Sequence, residues 1–453
     1  MDVAKIRNNC SADIVKTSFF GYICRVLKIN VRLFYGQFKF LSMKILHTSD
    51  WHLGHTLYEH DRMVEHEDFL RQLKTIADEQ RPDALLVCGD IFDRVAAPVA
   101  ARELYVRALL DMHDTCPDMQ IIVTAGNHDG KSALETEGLI WNRLHVRVIG
   151  QVEFDDDGQV NFDRHIVEIR DAQGALQGFV AAVPHIYEYG YPQMGDAMDK
   201  QDRQGIFFRT LLDKVAERNP DNLPVVLSAH LAMAGGNFAG HAFHDSIGGI
   251  DTVKQEQLGK GGYDYLALGH IHSPQTLPDS NPVARYCGTP IAISFDETGH
   301  HGVTMVTLGK GEPPVIEEME IRNLKPLLTL PVKPTLFEDA LQELREFPDA
   351  ESAYIRLNVL LDGPLPPNHI ERILQVLDRK KGEYCCMVTS LPDREEKSEE
   401  YSDLKHVDAD NMPEPEELAE LFFQKKYNVS MDADLAELLR KAIEVAQKNE
   451  IEH

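Results

Sequence analysis

Short apolar runs recur along this chain, and each closes on a polar residue of a particular kind. Met43–Leu46, Ala84–Cys88, Ile121–Thr124, Val225–Ala229 and Tyr265–Leu268 are too short for helices and apolar almost throughout, as strands buried on both faces are. Helical periodicity separates the first three. Met63, Phe69, Leu70, Leu73 and Ile76 form a stripe over about residues 61–80, which Arg81-Pro82 stops. A second helix opens at Pro98 and runs to about residue 114, and a third covers about 132–144. This β-α-β-α-β-α order predicts a largely parallel sheet covered by helices. From Val146 to Ile186 the pattern changes to short alternating strands (146–149, 165–169, 179–183), which predicts antiparallel additions and a second sheet. The acidic run at 155–157 within it reads as a solvated turn. A helix over about 203–218 precedes the fourth apolar run, and strands near 303–308 and 315–319 close the region.

Beyond Ile321 the pattern becomes strand (327–332), helix (336–346), strand (354–361), helix (369–377), strand (385–389), a small α/β unit without chemistry of its own. Residues 393–410 are acidic and polar and read as a linker. Two amphipathic helices follow, about 415–427 with Leu418, Leu421, Phe422 and Phe423, and about 433–448 with Leu435, Leu438, Leu439, Ile443 and Val445. The expected division is therefore 1–42, an N-terminal extension; 43–321, the main domain; 322–395, the small unit; and 396–453, linker and helices. Residues 1–42 carry seven Lys/Arg against two Asp/Glu, unlike the rest, and Met43 directly precedes the first strand. Met43 is read as the natural start, or the first 42 residues as a poorly ordered extension.

With 453 residues, two or three domains are expected. The net charge of −27 argues against simple electrostatic binding of nucleic acid. Seven cysteines without CxxC spacing point to a reducing, cytoplasmic setting and no disulfide framework. No apolar stretch is long enough to span a bilayer.

The chemistry lies where the apolar runs end: Asp50 and His52, Asp90, Asn127 and His128, His230, then His270 and His272. Side chains at i and i+2 of a strand share a face, so Asp50 and His52 can point together off a carboxyl end, where open α/β sheets place ligands. Oxygen and imidazole donors without thiolate suit Mn²⁺, Fe²⁺ or Zn²⁺ better than a structural zinc site. Two divalent cations beside two carboxylates would make such a site net positive in an acidic protein, able to attract a phosphodiester. Any one of these histidines alone would more often be a surface or core residue; five matching strand ends in order argue otherwise. Asp93 reads either as a group that orients a ligand or as a helix-start residue. His55, His241 and His244 read as loop residues, and Gly288 and Pro290 as a tight turn.

D-x-H, G-D, G-N-H-D, a lone His after a strand and G-H-x-H, in this order, resemble the calcineurin-like metallophosphoesterases. The strings HTSDWHLG, GDIFD, AGNHD, SAHL, YLALGHIH and RYCGTPIAISFDE are similar to those of the family's bacterial DNA-nuclease subunits. The resemblance covers Met43 to the C-terminus. It implies an α/β fold, a two-sheet metallophosphoesterase sandwich flanked by helices, with 322–395 as a capping domain and a C-terminal helix pair. It implies two divalent ions, Mn²⁺ foremost. Asp50, His52, Asp90 and His272 would hold one; Asp90, Asn127, His230 and His270 the other, with Asp90 bridging. His128 would be catalytic, orienting the scissile phosphate and stabilising the leaving oxygen, with Asp129 hydrogen-bonding it. The implied activity is hydrolysis of DNA phosphodiesters, exonucleolytic on duplex ends and endonucleolytic on single strands and hairpins. The implied partner is a coiled-coil ATPase subunit engaged by the C-terminal helices, in a heterotetramer containing two copies of this chain. Competing readings are a small-molecule or nucleotide phosphodiesterase on the same fold, and a binding scaffold with a dead site, which the full ligand set disfavours.

Overall fold

Side chains alternate across a strand, and here both faces are apolar, so each central strand buries itself twice. Ala84, Leu86 and Cys88 face the core between two sheets, while Leu85 and Val87 face helices on the outside. Val226 likewise faces inward, and Leu227 and Ala229 pack under helices on the opposite side of the molecule. The arrangement is helices, sheet, sheet, helices. It is seen in a computed structural model that describes residues 42–391, apart from 137, 156, 188–189, 195–199, 239–251 and 260, together with 431 and 435–441. The expected N-terminal extension, the loop with His241 and His244, the linker and the first C-terminal helix lie outside the described residues.

The strands are β1 (Ser42–Thr48), β2 (Thr56–Leu57), β3 (His60–Asp61), β4 (Ala84–Cys88), β5 (Gln120–Thr124), β6 (Val146–Ile149), β7 (Ile166–Arg170), β8 (Leu176–Ala182), β9 (Val225–His230), β10 (Tyr265–Gly269), β11 (Gln275–Thr276), β12 (Val283–Tyr286), β13 (Gly302–Gly309), β14 (Val315–Glu320), β15 (Leu327–Thr335), β16 (Ala353–Leu360) and β17 (Gly382–Ser390). One six-stranded sheet has the order β14-β13-β1-β4-β5-β6, the other β11-β12-β10-β9-β8-β7, and β15-β16-β17 form a third. β1, β4, β5 and β6 are mutually parallel, and β13 adds antiparallel to β1 over Ser42–His47. β8, β9, β10 and β12 are parallel in the second sheet, with β7 and β11 antiparallel at its edges.

The outer helices on the first sheet are α1 (Met63–Gln80) and α2 (Val99–Thr115), then the short α3 (Lys131–Glu135) and α4 (Gly138–Trp141). α5 (Lys200–Arg218) covers the second sheet, and α6 (Phe337–Glu346) and α7 (His369–Leu377) belong to the third. Two expectations need correction. Val146–Ile149 continues the first sheet in parallel instead of opening the second, because its register with Ile121–Thr124 keeps Val146 and Val148 under the outer helices. The helix expected over 132–144 is broken into α3, α4 and a single 3₁₀ turn at Asn142–Leu144.

Two compact units result: the described residues to 359 with 365–389, and 360–364 with the described residues from 390 on. In the second unit, residues 435–441 are helical, within the expected second amphipathic helix. No helix among the described residues is long and apolar enough to cross a membrane.

Several histidines are enclosed by this packing, His47 and His66 among them. His47, on β1, has a ring nitrogen 3.1 Å from the Tyr265 hydroxyl, and His66, on α1, accepts from the Gly54 amide at 3.4 Å. Burial, helped by nearby Arg285 and Arg62 respectively, pushes both rings down to about 3. The unfolded chain takes up protons here below about 6.5 and the folded chain resists them to about 3, so stability falls as pH drops through that window. Urea midpoints measured from pH 7 to 4 should decline, and His66→Gln, which keeps an acceptor for Gly54, should make the decline shallower.

Candidate dinuclear metal centre

Because β1, β4 and β5 run parallel in one sheet and β9 and β10 parallel in the other, their carboxyl ends meet at one edge of the sandwich. The turn after β1 is laid along the turn after β4: the amides of Asp50, His52 and Leu53 donate to the carbonyls of Gly89, Asp90 and Ile91 at 2.9, 3.1 and 2.9 Å. Four residues here take left-handed backbone, Asp50 (φ 52°), His52 (44°), Asp90 (50°) and His270 (104°). Non-glycine residues pay for such conformations with strain, which persists where the surroundings over-determine them.

Two glycines let the strands approach. A Cβ on Gly126 would sit 2.1 Å from Asp90 Oδ1, and one on Gly269 1.9 Å from the Cys88 carbonyl oxygen and 2.8 Å from His230 Nδ1. Gly269 of the G-H-x-H string is thus a spacer between the two sheets, and Gly126 of the G-N-H-D string a spacer between adjacent turns of the first sheet.

Asp50, His52 and His272 offer ligand atoms within 4.8 Å of one another, and so do Asp50, Asp90 and His230; all five are buried. Asp90 Oδ2 stands 3.3 Å from His230 Nε2 and 3.9 Å from His52 Nε2. Asp50 is common to both triplets, and Asp90, whose Oδ2 faces both His52 and His230, lies beside it between them. Asn127 Oδ1 lies 3.0 Å from His230 Nε2 and 3.2 Å from His270 Nδ1, which brings it and His270 to the second triplet. His128 is the exposed member, its ring 5.1 Å from that of His52.

Hydrogen bonds fix the ring orientations. His230 Nδ1 donates to the Cys88 carbonyl at 2.8 Å and His272 Nδ1 to Glu297 Oε1 at 2.9 Å, which leaves each Nε2 as the ligand nitrogen. Both ring nitrogens of His52 are buried without a hydrogen-bond partner, a costly state that a cation relieves. Burial pushes the Asp50 carboxyl up and the His52 ring well down. Burial works the same way on Asp90, but the His230 and His52 rings outweigh it and hold that carboxyl well below the usual range. The nearest thiols are unsuited to metal: Cys88 and Cys287 are fully buried, burial pushes both up, and their sulfurs face the hydroxyls of Ser228 and Ser49. The donor set therefore fits two divalent cations bound by oxygen and imidazole.

A family profile described as calcineurin-like phosphoesterase matches residues 43–274. The SbcD subunit of the SbcCD nuclease of Rhodobacter capsulatus is 33% identical over 336 residues, spanning 71% of this chain and 82% of its own. The Bacillus subtilis protein of that name is 30% identical over 371 residues, spanning 81% of this chain and 90% of its own. The chain belongs to the SbcD family of calcineurin-like phosphoesterases. A solved dimetal phosphatase from Danio rerio is a remoter likeness, 12% identical with a TM-score of 0.34 over 61% of this chain and 98% of its own.

In this phosphoesterase, the expected hydrogen bond from Asp129 to His128 is replaced by bonds to backbone amides. The Asp129 carboxylate accepts the backbone amides of Ile91, Phe92 and Gly126 at 3.1, 2.9 and 2.8 Å, which ties the Asp90 turn to the Asn127 turn. His128 Nδ1 instead donates to the Asp93 carbonyl at 2.8 Å, and the His128 amide donates to Asp90 Oδ1 at 2.8 Å. Of the two readings of Asp93, the orienting one describes its main-chain oxygen; its carboxylate lies 3.9 Å from His52 Nδ1. The sequence reading assigned no role to Glu297, Thr289 or His185. Thr289 donates to Glu297 Oε2 at 3.0 Å, and His185 Nδ1 donates to the His230 carbonyl at 3.1 Å. The acidic pair Asp296-Glu297 that closes Ile291–Phe295 was the available signal for Glu297. Gly288 does more than turn the chain, since a Cβ there would meet the His272 carbonyl oxygen at 2.5 Å.

Replacing Asp129 by Ala strands three buried amides, each worth about 1–3 kcal/mol when unpaired. Asp129→Ala should lower the denaturation midpoint steeply and Asp129→Asn by less, measured by urea unfolding.

Proposed function

We propose that this chain hydrolyses DNA phosphodiester bonds as an SbcD-type nuclease with two divalent cations, Mn²⁺ foremost. Asp50, His52, Asp90 and His272 would hold one cation and Asp90, Asn127, His230 and His270 the other. The observation that carries this reading is the pair of buried triplets, Asp50–His52–His272 and Asp50–Asp90–His230, at the joint edge of two sheets. Bound there, the cations supply charge neutralisation and an activated water for in-line displacement at phosphorus.

The protein's own groups do the rest. Asp50 and Asp90 would compensate the charge of the cations. His230 and His272 are held in one tautomer by the Cys88 carbonyl and Glu297. His128, at the mouth, commits its Nδ1 proton to the Asp93 carbonyl, so its Nε2 is the atom that meets substrate. A protonated Nε2 there would hold the scissile phosphate and give its proton to the leaving oxygen.

The finer reading follows the relatives, whose names make them the SbcD component of SbcCD nucleases. Duplex ends are cut exonucleolytically, and single strands and hairpins endonucleolytically, in DNA repair, replication and recombination. Residues 322–395 cap the site and shape the DNA path. The segment 396–453 engages an SbcC-type ATPase in a cytoplasmic heterotetramer with two copies of each chain. Such a partner supplies the basic surface that a chain of charge −27 lacks.

End-labelled duplex DNA incubated with the purified protein should be degraded with Mn²⁺ and not with EDTA. His128→Ala should slow cleavage by about 10²–10⁴-fold, the range for loss of a positioned proton donor. Turnover of a small phosphodiester under the same metal, with DNA untouched in the presence or absence of the ATPase and ATP, would move the reading to a nucleotide phosphodiesterase. DNA binding by the chain alone should be weak and should weaken further with salt in a filter-binding titration.

A further inference from the structure

Strand β16 belongs to the third sheet, yet two of its side chains reach the loop that carries Glu297. Arg356 Nη1 pairs with Asp296 Oδ1 at 2.7 Å, Nη2 donates to the Phe295 carbonyl at 3.4 Å, and the guanidinium lies 5.2 Å from the Phe295 ring centroid. Tyr354, two residues earlier and so on the same face of the strand, donates its hydroxyl to Glu65 Oε1 at 2.8 Å. Glu65 faces Arg62 Nε at 3.5 Å, and Arg62 donates Nη1 to the Ala292 carbonyl. Arg62 is fully buried and its Nη2 has no hydrogen-bond partner, so its position depends on Glu65 and on that carbonyl.

Both ends of the loop 292–297 are therefore gripped from β16, one directly and one through α1. Inside the loop, the Ile293 amide donates to Glu297 Oε2 at 3.2 Å, and Glu297 Oε1 takes the Nδ1 proton of His272. A displacement of the loop by well under 1 Å would lengthen the 2.9 Å bond to His272 beyond useful hydrogen-bond range. Such outer contacts set ring orientation and ligand basicity at metal sites. His230 is oriented separately, by the Cys88 carbonyl from within the sandwich.

We propose that Tyr354 and Arg356 are positioning residues for His272. Through the loop 292–297 the third sheet sets the affinity of the Asp50–His52–His272 position and leaves the Asp50–Asp90–His230 position as it is. This rests on the reading of the two triplets as metal sites.

The full-length protein is titrated with Mn²⁺, and bound metal after desalting and the electron paramagnetic resonance spectrum are recorded. Wild type should hold two ions with an exchange-coupled signal. The double variant Tyr354→Phe with Arg356→Gln should hold one ion tightly, with the six-line signal of an isolated Mn²⁺, and the second about 10–100-fold more weakly, the usual effect of losing an outer partner. Arg356→Lys alone should recover part of the affinity, and Arg372→Gln, which breaks the pair with Glu338 and the contact over the Phe337 ring between α6 and α7, should change nothing. In the metal-free protein, hydrogen exchange at the Ile293 amide should quicken in the double variant, a readout independent of metal and of activity. Two ions bound at wild-type affinity, or equal weakening of both, overturns the proposal alone. Fewer than two ions in wild type overturns the metal-centre reading and the proposal with it.

Discussion

Asp50 and Asp90 are taken out of water side by side, and the structure around them answers that cost. A buried carboxylate is tolerable only where positive charge or donors compensate it. Here the compensation comes from imidazoles on three other strand ends and from amides of adjoining turns, and it works only if the sheets close to within about one side chain of each other. Gly89 and Gly269 permit that approach, the parallel central strands align the edges, and the helices on both outer faces hold the two sheets in place. The left-handed backbone at Asp50, His52, Asp90 and His270 is a further cost of aiming these groups at one point.

The strands that carry the site were legible because burial on both faces writes a continuous apolar run, and the polar residue that ends each run stands out against it. Asp50, His52, Asp90, Asn127, His128, His230, His270 and His272 all stand out in this way, and the structure brings them to one edge. Sheet membership was harder. Val146–Ile149 looks the same in sequence whether it extends the first sheet or starts the second, because only its neighbour in space distinguishes the two. The supporting contacts were least legible. Asp129 sits beside His128 in sequence, which made a bond between them the natural guess, but its carboxylate turns inward to three amides. Backbone carbonyls such as those of Cys88 and Asp93 orient the rings, and main-chain oxygens carry no sequence signal.

Glu297 shows the same limit from another side. It lies beyond the span matched by the family profile, in a loop held by the third sheet. The site is therefore completed by elements that a search for ligand motifs passes over. In a strongly acidic chain the two central acids are thus enclosed by imidazoles.

The pairing of β1 with β13 joins residues 42–47 to residues 304–309. During synthesis the first strand must wait for more than half of the chain before its second neighbour exists, and His230, His270, His272 and Glu297 also arrive late. Long-range pairings of this kind slow folding. For a phosphoesterase they have a useful side: a partly made or partly folded chain holds Asp50 and Asp90 without the rings that complete the candidate centre. The two carboxylates and the imidazoles that face them thus come together only in the finished molecule.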